Sequence, residues 1–360
     1  MPAMNRMRAR QVGIPCGKIA PGPHNAITDV VGVRVGHYTL TDCETRTGVT
    51  AILPHGGNIF REKVVATAYV VNGFGKAIGL SQINELGQLE TPILLTSTLA
   101  APKAADALIS WMVARDADIT SINPVVGECN DSFLNDIQKR ALQPEHVWHA
   151  LDSASDGPVA EGAVGGGAGM TAFGYKGGIG TASRKLPDEL GGYTVGMLVM
   201  ANFGAQADLL IAGIPVGQEL IAQADETDLG DGSIMMVLAV DAPLSSRQLG
   251  RLARRVPFGL ARTGSVASHG SGDFVLAFSA AERMNAEATD GLERHVKRIA
   301  EDGKLLTTLF GAVVEATEEA IYNALCMAET TVGYQGHQRE ALPLDAVRSI
   351  LQKYHRLSDS

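Results

Sequence analysis

Short apolar runs rich in β-branched residues, broken at close intervals by glycine, constrain this chain more than any other feature. "VVGVRVGHYTL", "TGVTAIL", "VVATAYVV" and "TPILLTSTL" read as strands, and "ADALISWMVARDA" reads as an amphipathic helix. Further on, "YTVGMLVMANFG" and "SIMMVLAVDAP" read as buried strands, each followed by a helical segment, "AQADLLIAGI" and "SSRQLGRLARRV". The second of these helices is expected to stop at Pro257, because proline lacks the amide hydrogen a helix interior needs. A charged, solvated segment follows from Glu282 to Lys304, then an apolar-periodic helix within Leu305 to Ala328. The class is mixed α/β. There is no internal repeat, low-complexity tract or linker that would mark off an independent domain.

A chain of 360 residues that is 45% hydrophobic and 19% charged can bury a sizeable core, as one large domain or two smaller ones. Thirty basic residues stand against 39 acidic ones without gathering into a block. That balance argues against nucleic acid and against an anionic membrane as partners. Cys16, Cys43, Cys129 and Cys326 lie far apart with no C-x-x-C, which fits a reducing compartment, and each is expected to be a small core residue. The early arginines are not followed by an apolar stretch of leader type, and no run reaches membrane-spanning length. The expected location is the cytoplasm.

Several clusters carry possible chemistry. "EGAVGGGAGMTAFGYKGGIG", residues 161–180, lacks the order of a phosphate loop or a dinucleotide fingerprint, so close backbone packing and tight turns are the expectation there. His146 and His149 have no third ligand at a characteristic spacing, so no metal site is expected. In "VVGECNDSFLND", most of the polar residues suit a turn after a strand. Glu128, beside the apolar strand end, is placed to hold a substrate ammonium. In "MANFG", Asn202 ends a buried strand where its amide could donate to a developing oxyanion.

The strongest candidate is "SHGSGDFVLAFS", residues 268–279, where Ser271 stands between glycines directly before a buried strand. A simple strand-entry turn fits those residues. So does an N-terminal nucleophile: the Ser271 hydroxyl attacks the Gly270 carbonyl, the amide becomes an ester, and water cleaves it. Ser271 then carries a free α-amine, with an unperturbed pKa of about 7.7 to 8.0, that can act as general base for its own hydroxyl. Gly270 lacks a Cβ and can occupy strained backbone closed to other residues.

Taken in order, "PGPHNAITDVVGVRVGH", "VNGFGKAIGLSQINELGQLETPILLTSTL", "PVVGECNDSFLND", the glycine cluster, "MANFG", "SGDFVLAFS" and "EATEEAIYNAL" resemble the DmpA/BapA family of aminopeptidases, the P1 (S58) peptidase group. The resemblance runs over about residues 10–338. It implies an αββα sandwich of the N-terminal-nucleophile type, shared with the ornithine acetyltransferases. It also implies one peptidase domain, 1–360, that matures into residues 1–270 and 271–360, and a homotetramer of processed units. No cofactor or metal is implied. The substrates implied are small peptides, amides or esters with a free L-, D-Ala- or β-amino acid N-terminus.

Residue roles follow from the same resemblance. Ser271 is the nucleophile and Gly270–Ser271 the cut. Asn202 helps form the oxyanion hole, and Glu128 meets the substrate amine, with Asn130 and Phe133 beside it in the substrate site. Thr317, where the family commonly has serine, and Glu319 assist or orient the nucleophile. The alternative for this pair is that Thr317 starts or caps a helical turn whose N-terminus Glu319 favours. Residues two apart on a helix face different ways, so both reach Ser271 only if the backbone bends or starts a helix there. Some members carry tyrosine in the segment where this chain has Phe133, and a phenyl ring cannot donate a hydrogen bond. An acyltransferase, a nylon-oligomer hydrolase of the same fold, or a non-catalytic protein that binds small amines are the other readings. The transferases use threonine as nucleophile, so Ser271 favours hydrolysis.

Overall fold

The structure is a computed structural model that describes residues 6–221, 232–285, 295–301 and 303–358. Its strands are β1 (Arg34–Leu40), β2 (Thr47–Leu53), β3 (Glu62–Gly73), β4 (Gln88–Leu89), β5 (Ile93–Ser97), β6 (Val125–Cys129) and β7 (Thr171–Ala172). They continue with β8 (Tyr175–Lys176), β9 (Gly178–Lys185), β10 (Thr194–Asn202), β11 (Ser233–Val240), β12 (Gly272–Asn285), β13 (Thr331–Val332) and β14 (Gln338–Arg339). The helices are α1 (Ala9–Val12), α2 (Leu80–Leu86), α3 (Ala101–Val113), α4 (Pro144–Asp152) and α5 (Val216–Ile221). Then come α6 (Ser246–Ala253), α7 (Val256–Arg262), α8 (Gly303–Met327) and α9 (Leu344–Lys353).

Two sheets dominate, one in the order β1-β2-β5-β6 and one in the order β4-β3-β12-β11-β10-β9. Helices α3 and α4 cover the outer face of the first, while α6 and α8 cover the outer face of the second. The result is an αββα sandwich. One apolar core lies between the larger sheet and its helices, built from residues such as Val199, Met236, Val275, Val313 and Ile321. A second fills the space between the sheets and the space under α3 and α4, with Leu95, Val126, Met235, Phe274 and Leu108. Because β10, β11 and residues 272–279 of β12 are covered on both faces, they are buried without alternation, whereas 280–285 of β12 alternate toward solvent.

The expected strands all form, and "TGVTAIL" coincides with β2. Two expected helices differ. "AQADLLIAGI" is a single short 3-10 turn, Gln206–Asp208, followed by a tight turn with Ala212 (φ 53°) and Gly213 (φ 78°) in the left-handed region. There Ile211 and Ile214 bond each other's backbone, N–H to C=O, at 3.0 Å in both directions, which is incompatible with a helix. "SSRQLGRLARRV" begins as expected: Ser245 accepts from the Gln248 amide at 3.2 Å and Gln248 returns to the Ser245 amide at 3.0 Å, a capping box. That helix, α6, ends at Ala253, however, and Pro257 sits in the first turn of α7, where its missing N–H costs nothing. Helix α3 likewise begins four residues ahead of the expected "ADALISWMVARDA", with Pro102 in its first turn. The charged stretch 282–304 falls partly outside the described residues.

Glycines set the closest approaches. A Cβ at Gly127 of β6 would lie 2.3 Å from Met235 Cε of β11, so the sheets pack at this distance only with glycine there. A Cβ at Gly180 of β9 would lie 2.0 Å from the Ala320 carbonyl of α8. The glycine cluster therefore serves backbone packing.

Cys16, Cys129 and Cys326 are buried, whereas Cys43 is exposed with φ 40°, so it is a loop residue and not part of the core. Among the described residues no helix is long and apolar enough to cross a membrane.

Candidate active site

Ser271 lies one residue ahead of β12, the strand that sits between β3 and β11 in the middle of the larger sheet. It is 3% exposed, and its hydroxyl donates to Asp273 Oδ1 at 2.7 Å. In extended backbone residues i and i+2 share a face, which places this carboxylate beside the hydroxyl. Asp273 is fully buried, and its Oδ2 has no hydrogen-bond partner among the described residues. Burial pushes the Asp273 carboxyl up to about 6, although the Ser271 hydrogen bond favours the carboxylate.

The turn before Ser271 is held by one side chain. Asn72 Nδ2, near the end of β3, donates to the carbonyls of Ser268 (2.9 Å), His269 (3.1 Å) and Ser271 (2.5 Å). A register shift between Asp273 and Phe274 brings Asn72 directly opposite Asp273. The Ser271 amide donates to Ser268 O at 2.9 Å, and the Gly272 amide to Ser233 Oγ at 3.2 Å. The left-handed backbone of this loop falls at Gly264 (φ 105°) and Ala267 (φ 51°) and not at Gly270. The strain expected at Gly270 is thus carried upstream.

A cavity of about 420 Å³ opens beside this turn, lined by Gly270, Ser233, Asn202, Glu128, Phe133 and Arg339 among others. Asn202, the last residue of β10, is 6% exposed. Its Oδ1 accepts from the Thr171 amide at 2.9 Å, and its Nδ2 donates to Asn130 O at 3.0 Å. A backbone amide can only donate and a carbonyl only accept, so the two contacts fix which end is nitrogen and leave one Nδ2 hydrogen for the cavity.

Glu128 on β6 is 3% exposed, with Oε1 accepting from the Lys76 amide at 2.8 Å and Oε2 from the Thr98 hydroxyl. Both are neutral donors that aim a carboxylate at the cavity. Asn130 also lines it, its Oδ1 accepting from the Ser132 amide at 2.9 Å in an Asx turn. The Phe133 ring stacks on His337 (centroids 4.7 Å apart) and under the Arg339 guanidinium at 3.8 Å.

The cavity thus brings Gly270, Asn202, Glu128, Asn130 and Phe133 to one place, with Ser271 the next residue after Gly270. It does not bring Thr317 or Glu319 there. Both are fully buried in the middle of α8, which neither bends nor starts at them, so the reading of Thr317 as a helix start or cap also fails. The Thr317 hydroxyl donates to Val313 O at 2.7 Å, and its Cβ is so close to α7 that a Cβ at Gly259 would meet it at 2.6 Å. The Glu319 carboxylate accepts from Arg10 Nε and Arg184 Nη1 at 2.8 Å each and from Asn25 Nδ2 at 2.6 Å.

His146 and His149 pack on Tyr38, and among the described residues no group of three or more His, Cys, Asp or Glu is arranged to hold a metal ion.

Comparison with known proteins agrees with this geometry. The model of peptidase family S58 matches residues 25–339. The chain belongs to that family. Beta-peptidyl aminopeptidase BapA of Sphingosinicella microcystinivorans is 42% identical over 375 residues, 98% of this chain and 93% of that protein. The PH0078 protein of Pyrococcus horikoshii OT3 superposes with a TM-score of 0.91 at 46% identity, over 98% of this chain and 100% of that one. The L-aminopeptidase D-Ala-esterase/amidase of Ochrobactrum anthropi superposes with a TM-score of 0.90 at 39% identity, over 98% and 99%. Its structure is described as a prototype for the serine aminopeptidases and a variant of the Ntn hydrolase fold. This chain is accordingly a serine aminopeptidase of family S58 with that fold.

Proposed function

We propose that the chain cuts itself between Gly270 and Ser271, giving residues 1–270 and 271–360 that stay together as one peptidase domain. Ser271 then hydrolyses N-terminal amide bonds of short peptides, amides or esters. The observation that carries this reading is the position of Ser271, at the head of a central strand and directly after Gly270, which lines a cavity together with the Asn202 amide and the buried Glu128 carboxylate.

In the cut chain the Ser271 α-amine takes the hydroxyl proton as Oγ attacks the substrate carbonyl. The remaining Nδ2 hydrogen of Asn202 stabilises the oxyanion. The amine returns its proton to the leaving nitrogen, and water resolves the acyl-enzyme. Glu128 binds the substrate ammonium, beside Asn130 and Phe133. Thr317 and Glu319 act through α8, keeping it seated on β9 and β10, and not on the nucleophile.

β-Peptides are the favoured substrates, supported by the 42% identity to a beta-peptidyl aminopeptidase, with L- and D-alanyl amides as the other class. The four free cysteines support a reducing, cytoplasmic location. Exposed Phe74 and Val266 beside the nucleophile loop, and exposed Phe258 on α7, offer apolar surface for a homo-oligomer such as a tetramer.

N-terminal sequencing of the smaller fragment tests the cut directly. It is expected to begin Ser-Gly-Asp-Phe, and any other start sinks the assignment. Turnover of L-amino acid, D-alanyl and β-alanyl chromogenic amides then ranks the substrates.

A further inference from the structure

Before the cut the Ser271 nitrogen is an amide and has no lone pair to serve as a base. The α-amine that would activate the hydroxyl in the mature enzyme is a product of the cut and not available to make it. Something else must take the hydroxyl proton in the uncut chain. The Ser271 hydroxyl donates to one group, Asp273 Oδ1, at 2.7 Å. The carboxylate is fully buried and its second oxygen is unpartnered among the described residues, although buried carboxylates are ordinarily satisfied on both oxygens. Asn72, paired with Asp273 across the strands, holds the carbonyls on either side of the scissile bond, those of His269 and Ser271.

We propose that Asp273 is the catalytic base and proton carrier of self-cleavage, a role distinct from turnover of substrate, and that Asn72 positions the turn for it. The inference rests on the self-cleavage reading above. Asp273 Oδ1 takes the proton from Ser271 Oγ as Oγ forms a bond to the Gly270 carbonyl carbon. The carboxyl proton then passes to the Ser271 nitrogen as the Gly270 C–N bond breaks. An ester links Gly270 to Ser271 Oγ, and the α-amine is free. Water adds to the ester and expels Oγ; one of its hydrogens completes the Ser271 hydroxyl and the other passes from the new Gly270 carboxyl to the α-amine, leaving the Gly270 carboxylate, an ammonium at Ser271 and Asp273 ionised as at the start. No other co-reactant is needed. A carboxyl raised to about 6 suits both halves of this transfer, because it is a stronger base than an ordinary aspartate and still gives the proton back.

The experiment follows freshly synthesised full-length chains by denaturing electrophoresis. Wild type is expected to give two fragments, and Asp273→Asn to cut slower by on the order of 10²-fold or more, the contribution typical of a general base. Asp273→Asn must unfold cooperatively near the temperature of Ser271→Ala, which is also uncut. As a second variant, Asp273→Ala is incubated with formate, and a small carboxylate entering the vacated space is expected to restore cutting. A merely structural aspartate would give no such rescue. If wild type stays whole, the self-cleavage reading fails and this inference falls with it. If wild type is cut and Asp273→Asn is cut at the same rate, or formate leaves Asp273→Ala unchanged, only the Asp273 assignment is overturned.

Discussion

The carboxylate of Glu319 closes on the guanidinium of Arg184 at 2.8 Å, with both side chains essentially sealed from water. Arg184 on β9 also donates to Cys16 O and Ser183 O, and Arg10 reaches the same carboxylate from the N-terminal segment. Removing the acid leaves the buried Arg184 guanidinium with Glu315 as its remaining carboxylate, at 3.1 Å from Nε, a loss below the ~3–5 kcal/mol of a fully unpaired buried charge. Glu319→Ala is therefore expected to lower the urea midpoint sharply at unchanged m-value, while the folded fraction keeps near-normal kcat. A folded, stable variant that has lost kcat would return Glu319 to the catalytic machinery.

Asn202→Ala removes an amide whose orientation is fixed at both ends. The oxyanion exists only on the way to and from the tetrahedral intermediate, so kcat is expected to fall by on the order of 10²-fold with a smaller change in KM. A change confined to KM would show that the amide binds ground-state substrate instead.

Glu128→Gln keeps the shape of the side chain and discards its charge. For amides bearing a free α- or β-amine, KM is expected to rise by about tenfold or more, the loss of a charged hydrogen bond. An N-acetylated ester, if turned over, should be affected little. Equal losses on the two substrates would count against an ammonium site.

His37 supplies a pH test of stability. Burial pushes it down to about 4 from an ordinary value of about 6.5; Nδ1 lies 2.9 Å from Thr50 Oγ1, and Nε2 has no partner among the described residues. A lowered histidine pKa means that the unfolded chain binds the proton more readily. Its contribution is therefore complete above the unfolded value and is lost as pH falls from about 6.5 toward 4. Thermal unfolding across that window should steepen with acid in the wild type and less so in His37→Gln; parallel curves would exclude His37 as the cause.

The sequence told most where local chemistry and burial agree. "TGVTAIL" and "FVLAFS" became strands because unbroken β-branched or apolar runs of that length suit a doubly covered sheet. The glycine cluster packed as expected because a Cβ at Gly166 or Gly167 would collide with neighbouring backbone. "AQADLLIAGI" misled because its leucines and isoleucines are apolar for the core, while Ala212 and Gly213 turn the chain. In the site, Ser271, Asn202 and Glu128 stand at strand ends that a sequence reader can mark. Asp273 was within the same motif and could have been found from the two-residue period of a strand. Asn72 carried no local signal, since its three carbonyl contacts lie about two hundred residues away along the chain. Thr317 and Glu319 were placed by motif alone, and a continuous helix committed them to packing and ion pairing.

The place of β12 within its sheet has a consequence for durability. The strand is bonded along one edge to β3 and along the other to β11, so residues 271–360 are stitched into the middle of the fold by segments that precede them. α8, from the same end of the chain, is clasped by Arg10 and by Arg6, which donates to Leu325 O. A severed backbone ahead of β12 therefore gives no loose end to peel away. Releasing either piece means unzipping two rows of hydrogen bonds and opening a core at once, so the nicked molecule should persist as one particle until it melts as a whole.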